Sequence, residues 1–265
     1  MQGKGDKMTI KEKVKSALPI TGTHVNLLDP TVSDIFGVLG YDYIFVDMEH
    51  SAIDCEHVFQ HILAAKANDM AVFVRVPADD TTITKRVLEM GIDGIIFPMI
   101  KDSKHAEEMI AQTLYPPYGK RGCGPKRAVK YGVASEPDYY KNGHLELCRF
   151  VMIELESAAL DAENIAKNPF IDGCVMGFHD LSGSIGKLGD IFCEENLALA
   201  TKAINAFKKE GKTVSISTYA TDTETLTTYH NLGMNMISMG ADYVHIVNGA
   251  KQALETLNKI RRQLL

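Results

Sequence analysis

The sequence predicts an α/β protein of the (β/α)8, or TIM-barrel, class that folds as a single domain. Short apolar runs rich in β-branched residues alternate with longer amphipathic stretches, and this alternation occurs eight times along the chain. Each run has the composition of a buried parallel strand. The alternative class is an open, doubly wound sheet, which is disfavoured because no glycine-rich GxGxxG turn follows any of the runs.

The eight predicted strands begin 20 to 54 residues apart. They span Thr23–Leu28, Tyr43–Glu49, Ala71–Val76, Gly94–Ile100, Cys148–Glu154, Gly173–Phe178, Thr213–Thr218 and Met234–Met239. One of the helical patterns between them is expected to be capped by Asp80 and to end at Gly91. The longest interval predicts a long loop over residues 101–147, of a length that is commonly functional. We further expect a lead-in over residues 1–20, a barrel over residues 21–265 and a C-terminal helix over residues 250–265.

Composition and charge exclude several classes of protein. The 265 residues are 45% hydrophobic and 23% charged, which argues against a disordered or fibrous chain. The net charge of −6 weighs against sequence-independent binding to nucleic acid. The longest apolar stretch has seven residues, far fewer than the roughly 20 that span a bilayer. Five scattered cysteines without a CxxC pair are typical of reduced thiols, so we expect a cytoplasmic protein that binds neither nucleic acid nor membrane.

Polar side chains lie where several of the predicted strands end. They are Asp47, Glu49 and His50 in the second strand and its loop, Arg75 in the third, Glu154 and Glu156 around the end of the fifth, and His179 and Asp180 after the sixth. In a barrel these ends meet at one face. Two carboxylates from neighbouring strands can hold a hard cation such as Mg²⁺ or Mn²⁺. An arginine can bind a carboxylate through two hydrogen bonds, and a histidine can move a proton near neutral pH.

Four segments around these residues resemble the HpcH/HpaI aldolase family. They read FVDMEHS at Phe45–Ser51, VRVP at Val74–Pro77, YPPYGKRG at Tyr115–Gly122 and GFHDLS at Gly177–Ser182. The resemblance extends over nearly the whole chain, and four motifs in order are more specific than any one of them. It implies a (β/α)8 barrel that uses a divalent metal (Mg²⁺, Mn²⁺ or Co²⁺) to cleave a 4-hydroxy-2-oxo acid to pyruvate and an aldehyde through a metal-stabilised enolate.

The resemblance also implies a role for each matching residue. Glu154 and Asp180 are the expected metal ligands, and Arg75 is the expected binder of the pyruvate carboxylate. His50 is the expected acid and base. Glu154 is preferred to Glu156 because the ungapped match to the family pattern selects it.

Further roles follow from the same resemblance. Asp47 and Glu49 are expected to order water around the metal. Backbone N–H groups around His179 and Asp180 are expected to face the substrate carboxylate. Arg121 is expected to contact the substrate, either within one chain or across a subunit boundary. The family also implies a homo-oligomer, and one arrangement is a hexamer in which the C-terminal helix packs on a neighbouring chain.

Three positions depart from the family pattern. Glu89 stands where an aspartate commonly pairs with the histidine, Met152 where a glutamine often precedes the metal ligand, and Phe178 where proline is usual. We expect metal and pyruvate binding to remain, and Glu89 to support His50. Two other functions stay open: an enolate-forming enzyme such as a decarboxylase of a 2-oxo dicarboxylate, and a barrel that binds an oxo acid without turnover.

Overall fold

The structure, a computed structural model, describes residues 8–16 and 18–264. They form a closed barrel of eight parallel strands in which each strand pairs with the next and the eighth pairs with the first. The strands are β1 (Ile20–Val25), β2 (Tyr43–Asp47), β3 (Ala71–Arg75), β4 (Gly94–Phe97), β5 (Cys148–Ile153), β6 (Gly173–Met176), β7 (Thr213–Thr218) and β8 (Met236–Ala241). The predicted single-domain (β/α)8 class is confirmed.

Helices follow the strands around the outside of the barrel. They are α1 (Ile10–Lys15), α2 (Thr31–Leu39), α3 (Cys55–Ala67), α4 (Thr81–Glu89), α5 (Ser103–Ala111), α6 (Glu136–Lys141), α7 (Glu156–Leu160), α8 (Ala162–Ala166), α9 (Phe178–Ser184), α10 (Glu194–Lys209), α11 (Thr223–Leu232) and α12 (Asp242–Gln263). Asp80 caps α4 as expected, because its side chain accepts hydrogen bonds from two N–H groups of the first turn. Across residues 8–16 and 18–264, no helix combines the length and hydrophobicity needed to cross a bilayer.

Aromatic side chains fill the interior of the barrel. The rings of Tyr43 and Phe73 pack edge to face with centroids 5.2 Å apart, and Phe73 packs in the same way on Phe150. Glycine is required opposite these rings, because a Cβ at Gly22 would lie 2.3 Å from Tyr43 and one at Gly94 would lie 2.2 Å from Phe73. The packed interior leaves the ends of the strands as the place for a site.

The chain before the first strand is more than the expected lead-in. Within it, α1 covers the amino-terminal end of the barrel, where Lys11 Nζ donates to Leu147 O (2.8 Å) and to Asp172 Oδ2 (2.7 Å). Residues 1–7 and 17 of the lead-in lie outside the described residues. The first strand starts at Ile20 and not at Thr23, because the Ile20 N–H donates to a carbonyl of the segment before β8.

Strand boundaries differ from the prediction where side chains or helix ends take the backbone hydrogen bonds. The first strand ends at Val25 because the N–H groups of Asn26 and Leu27 both donate to Asp242 Oδ2, at 2.8 Å. The last strand starts two residues later than Met234, because the Met234 N–H donates to Tyr229 O at the end of α11. The strands β2 to β6 end earlier than predicted, so most of the polar residues expected at strand ends lie just beyond them, in the loops.

Two segments have more helix than the sequence predicted. Residues 101–147 are not one loop but contain α5, α6 and two short 3-10 helices, at Arg127–Gly132 and Gly143–Glu146. The buried Arg149 side chain ties this segment to β5 by donating to Thr113 Oγ1 (2.6 Å) and His144 O (2.6 Å). The C-terminal helix begins at Asp242 and not at residue 250, and it continues without interruption through Gly249 to Gln263. Residue 265, the last of the predicted helix, lies outside the described residues.

Candidate active site

The carboxyl-terminal ends of the strands, from Val25 in β1 round to Ala241 in β8, form one face of the barrel, which we call the mouth. Asp47 and Arg75 are the last residues of β2 and β3, Glu154 directly follows β5, and Asp180 lies in the first turn of α9 after β6. The fold therefore brings the residues predicted from strand ends to a common face, as expected for a barrel.

Asp47 and Arg75 form a buried ion pair at the centre of the mouth. Arg75 Nε donates to Asp47 Oδ1 (2.8 Å) and Nη2 donates to Oδ2 (2.6 Å), which is a bidentate arrangement. The Asp47 side chain is fully buried, and its Oδ1 also accepts the Glu49 N–H at 3.0 Å. One carboxylate thus holds both the arginine and the start of the loop after β2.

The remaining donors of Arg75 are directed away from Asp47. Nη1 lies 3.7 Å from the Met152 sulfur, which is a weak acceptor, and the guanidinium carbon lies 5.5 Å from the centroid of the Phe45 ring. Nε also lies 3.4 Å from Glu49 Oε2. The Nη1 side of the guanidinium therefore has no strong protein acceptor among the described residues and can bind a substrate oxygen.

Glu154 is buried, and the backbone of two neighbouring loops lies close to its carboxylate. Its Oε1 accepts the Met99 N–H, and Met99 adopts a positive φ of 53°, an uncommon conformation for a residue other than glycine. A Cβ at Gly177 would lie 2.9 Å from Glu154 Oε2. Glycine at this position leaves room for the carboxylate and for a group bound to it.

Three carboxylates share this side of the mouth. Burial raises the pKa of Glu154 to about 7, and the negative charges of Glu49 and Asp180 act in the same direction. Burial likewise raises the pKa of Glu49. Within the described ranges, no three His, Cys, Asp or Glu side chains are arranged as a complete metal-binding cluster. Like charges held this close favour a bound cation, whose other ligands must come from water or substrate.

The two histidines predicted at the site lie at its rim. His50 has a side chain that is 63% exposed, and its Nε2 lies 3.8 Å from Glu49 Oε2. His179 is exposed in the first turn of α9, next to Asp180. Both histidines are accessible to a molecule that enters the mouth.

Arg121 and Glu89 lie elsewhere. Arg121 Nη2 donates to Glu89 Oε1 (3.3 Å), and the guanidinium carbon lies 4.6 Å from the centroid of the Tyr115 ring. Arg121 also borders a cavity of about 170 Å³ that is lined by Asp93 and Leu147, the residues that precede β4 and β5. This pair therefore occupies the amino-terminal side of the barrel, opposite the mouth.

The predicted contacts of Glu89 with His50 and of Arg121 with substrate are therefore not formed within one chain. The direction of the helices is the reason. Since α4 starts near the mouth at Asp80 and runs towards the opposite face, its last residue, Glu89, is carried away from His50. The YPPYGKRG segment follows α5, which runs in the same direction, so Arg121 is also delivered to the opposite face.

Sequence reasoning missed several residues that shape the mouth. His24 in β1 is buried between Ser217 and Asp47, with Nδ1 2.6 Å from Ser217 Oγ. Like Arg75, His24 is a polar residue within an apolar predicted strand, and this pattern could have identified it from the sequence. Nothing in the sequence indicated the contacts of Met99 and Gly177 with Glu154, because they depend on backbone positions in neighbouring loops.

The sequence matches one of the known protein families. The family model described as HpcH/HpaI aldolase/citrate lyase matches residues 21–249, which is most of the chain. The protein belongs to this family. The family and the enzyme class predicted from the sequence, a lyase of the aldolase type, are thereby confirmed.

Individual relatives are similar over most of their length. A hydroxypyruvate/pyruvate aldolase from Roseobacter denitrificans is 26% identical over 243 residues, which cover 92% of this chain and 94% of the relative. A 5-keto-4-deoxy-D-glucarate aldolase from Klebsiella pneumoniae is 28% identical over 212 residues, which cover 78% and 82%. The crystal structure of an HpcH/HpaI aldolase/citrate lyase family protein from Burkholderia cenocepacia J2315 matches with a TM-score of 0.88 at 27% identity, covering 94% of this chain and 98% of the other.

The Asp47–Arg75 pair predicts a specific dependence of stability on pH. Burial alone would raise the pKa of Asp47, but hydrogen bonds from His24 and Arg75 hold it well below its usual range. An unfolded aspartate titrates near 4, so the stability that Asp47 contributes is complete above about pH 5 and declines as the pH falls below about 4. Asp47→Asn should lower the free energy of unfolding by about 3 kcal/mol at pH 7, because Arg75 loses its charged partner.

The measurement is urea denaturation of the wild type and the variant at several pH values. The difference in the free energy of unfolding between the wild type and Asp47→Asn should narrow as the pH falls from 5 to 3. Asp69→Asn, which alters an exposed aspartate, is the matched control and should change the free energy of unfolding by less than about 0.5 kcal/mol at pH 7. A difference between wild type and Asp47→Asn that stays constant down to pH 3 would contradict the prediction.

Proposed function

We propose that this protein is a divalent-metal-dependent aldolase that cleaves a 4-hydroxy-2-oxo acid to pyruvate and an aldehyde. The observation that carries the proposal is the combination, in one mouth, of the buried Glu154 carboxylate near Asp180 with an arginine that Asp47 already holds in place. The names of the aldolase relatives support the same reaction type.

The residues at this side of the mouth fit a divalent cation such as Mg²⁺, Mn²⁺ or Co²⁺. Glu154 and Asp180 would hold it, with Glu49 close enough to order the water around it. The absence of a Cβ at Gly177 leaves space beside Glu154 Oε2. When bound, a divalent cation polarises the 2-oxo group and offsets negative charge as it develops in the reaction.

The side chains of the chain itself bind and orient the substrate. Arg75 would bind the substrate carboxylate through its free Nη1 and Nη2 hydrogens, while Asp47 prevents the guanidinium from rotating. Backbone N–H groups around His179 and Asp180, at the start of α9, would face the same carboxylate. In this binding mode the 4-hydroxyl would be directed towards the rim, where His50 lies.

His50 would move the proton. Removal of the 4-hydroxyl proton allows the C3–C4 bond to break, which releases the aldehyde and leaves the enolate of pyruvate. Return of a proton to C3 of the enolate then gives pyruvate. His50 is exposed at the rim beside Glu49, an arrangement that suits proton exchange with substrate and solvent.

The test is an incubation with Mn²⁺ and a panel of 4-hydroxy-2-oxo acids that includes 5-keto-4-deoxy-D-glucarate, together with 2-oxo dicarboxylates. Pyruvate or a related 2-oxo acid appearing in equal amounts with an aldehyde supports the proposal. Release of CO₂ without an aldehyde would replace it with a decarboxylase. Thermal stabilisation by an oxo acid without any product would indicate a binding protein that lacks turnover.

Metal dependence provides the first prediction of the proposed function. EDTA should abolish activity, and Mg²⁺, Mn²⁺ or Co²⁺ should restore it. Glu154→Gln should weaken Mn²⁺ binding, measured by isothermal titration calorimetry, by at least about ten-fold, since it removes a ligand charge. Glu156→Gln is the matched control, because Glu156 is exposed at the start of α7. Equal losses in the two variants would refute the assignment of Glu154.

Proton transfer provides the second prediction. His50→Ala should slow the exchange of the pyruvate methyl protons with D₂O by about 10² to 10⁴, the range of general acid–base catalysis, while pyruvate still binds. The rate is measured by proton NMR with saturating Mn²⁺. His57→Ala changes a histidine that is paired with Asp54 at the start of α3. In this variant the pyruvate methyl protons should exchange at the wild-type rate. Wild-type exchange in His50→Ala would remove His50 from the mechanism.

We also propose that the chain forms a homo-oligomer through α12. Apart from Asp242, none of the residues of this helix is buried, and a stripe of its apolar side chains is between 39% and 59% exposed. The stripe consists of Tyr243, Ile246, Val247, Leu254, Leu257 and Ile260. An exposed apolar stripe of this kind is typical of an interface.

The five cysteines are free thiols, which supports our placement of the protein in the cytoplasm.

The interface prediction is tested by mass measurement in solution. Leu254→Glu combined with Leu257→Glu should reduce the molar mass obtained by size-exclusion chromatography with light scattering, because the charges disrupt apolar packing. Gln252→Glu combined with Gln263→Glu adds the same charge on another face of α12 and should leave the mass unchanged. A wild-type mass equal to that of one chain would contradict the homo-oligomer.

A further inference from the structure

His24 is a buried imidazole in the mouth that the proposed reaction does not use. It lies in β1, and its side chain is 4% exposed. Nδ1 lies 2.6 Å from Ser217 Oγ on β7, and Nε2 lies 3.5 Å from Asp47 Oδ2 on β2. The ring therefore lies between the Asp47–Arg75 pair and Ser217 on β7.

The ring of Phe45 supports both His24 and Arg75. The imidazole centroid lies 4.4 Å from the Phe45 centroid, and the Arg75 guanidinium carbon lies 5.5 Å from it. His24 and Phe45 are register partners on neighbouring parallel strands, so this stacking follows from the pairing of β1 with β2. The imidazole is held by this packing as well as by the hydrogen bond between Nδ1 and Ser217.

The surroundings of His24 fit one neutral tautomer. If Ser217 donates to Nδ1, the ring proton is on Nε2 and points to Asp47. Burial lowers the pKa of His24, which favours this neutral form, although Asp47 acts in the opposite direction. Nε2 forms no well-aligned hydrogen bond within the described residues, and its contact with Asp47 Oδ2, at 3.5 Å, is electrostatic. The other charged groups that act on His24 are Arg75 and Asp242.

The position of Asp47 decides where Arg75 points. Each oxygen of the Asp47 carboxylate accepts one hydrogen bond from Arg75, so rotation of the carboxylate would turn the plane of the guanidinium. His24 approaches Oδ2, the same oxygen that accepts Nη2. A donor at this point opposes rotation of the carboxylate and thereby maintains the direction of the free Nη1 and Nη2 hydrogens.

We propose that His24, oriented by Ser217, is a positioning residue for Arg75: it holds the Asp47 carboxylate so that the guanidinium presents its Nη1–Nη2 edge to the carboxylate of the substrate. This inference rests on the proposed function and deepens it. His24 is not a catalytic residue, because it is enclosed and both of its nitrogens face protein groups. A role in packing alone would affect stability but not the affinity for pyruvate.

Two conservative variants separate these roles. Glutamine can place an N–H near the position of Nε2, whereas the shorter asparagine reaches only the position of Nδ1. His24→Asn should therefore weaken pyruvate binding by about ten-fold, as expected for loss of an N–H donor that faces a charged carboxylate. His24→Gln should bind pyruvate within about three-fold of the wild type, because it retains the donor towards Asp47. Pyruvate affinity is measured by titration calorimetry at saturating Mn²⁺.

The control uses a second buried histidine–serine pair in the same chain. His61 Nδ1 lies 2.8 Å from Ser33 Oγ, between α2 and α3 and outside the mouth. His61→Asn should lower thermal stability and leave pyruvate affinity unchanged. Mn²⁺ affinity should be the same in all of these variants, because none of them alters Glu154 or Asp180.

A readout that does not require pyruvate completes the test. In the ligand-free protein, exchange of the Arg75 Nε proton with water, followed by NMR, should be at least about ten-fold faster in His24→Asn than in wild type or His24→Gln. Equal exchange rates in all three proteins, or equal losses of affinity in the two His24 variants, would overturn the positioning role. If wild type itself fails to bind pyruvate, the proposed function falls, and the exchange rates still decide the role of His24.

Discussion

Asp47 and Arg75 are register partners at the ends of two neighbouring strands, and their buried ion pair organises the mouth of the barrel. Removing two charges from water is costly, so such a pair is maintained only when both partners and their hydrogen bonds are present. Asp47 meets this requirement by binding Arg75 through both oxygens while it also accepts a backbone N–H from the following loop. The pair therefore fixes the arginine and the loop that carries Glu49 and His50 at the same time.

The positive charge of Arg75 also lowers the energetic cost of burying the neighbouring carboxylates in their charged form. Glu49 and Glu154 are both influenced by it, and in each case the arginine opposes the effect of burial on the pKa. Without a cation, this side of the mouth holds more negative charge than one guanidinium balances. This charge distribution supports the proposed function, in which the carboxylates would bind a divalent cation and the free edge of the arginine would bind a small anion.

The departures from the family pattern have different physical consequences. Met152 contacts Arg75 Nη1 through its sulfur, so the missing glutamine affects the immediate surroundings of the arginine. Phe178 is buried away from the mouth, with its ring 5.7 Å from that of Tyr229, and its effect is on the packing of α9. Glu89 is paired with Arg121 at the opposite face, where it neutralises a buried guanidinium. Of these three residues, only Met152 lies where it can directly alter the chemistry of the mouth in the same chain.

The sequence by itself determined the barrel class, because continuous apolar runs and amphipathic stretches report local structure wherever they occur. It also determined that Arg75, Glu154 and Asp180 would share a face, since the ends of parallel strands in a barrel always do. Only the tertiary structure decided the partners: Asp47 for Arg75, Ser217 for His24, and the Met99 backbone for Glu154. It also separated Glu89 from His50. These pairings depend on strand register, on the direction of each helix and on backbone shape between residues that are distant in the chain, and no local pattern of amino acids encodes those quantities.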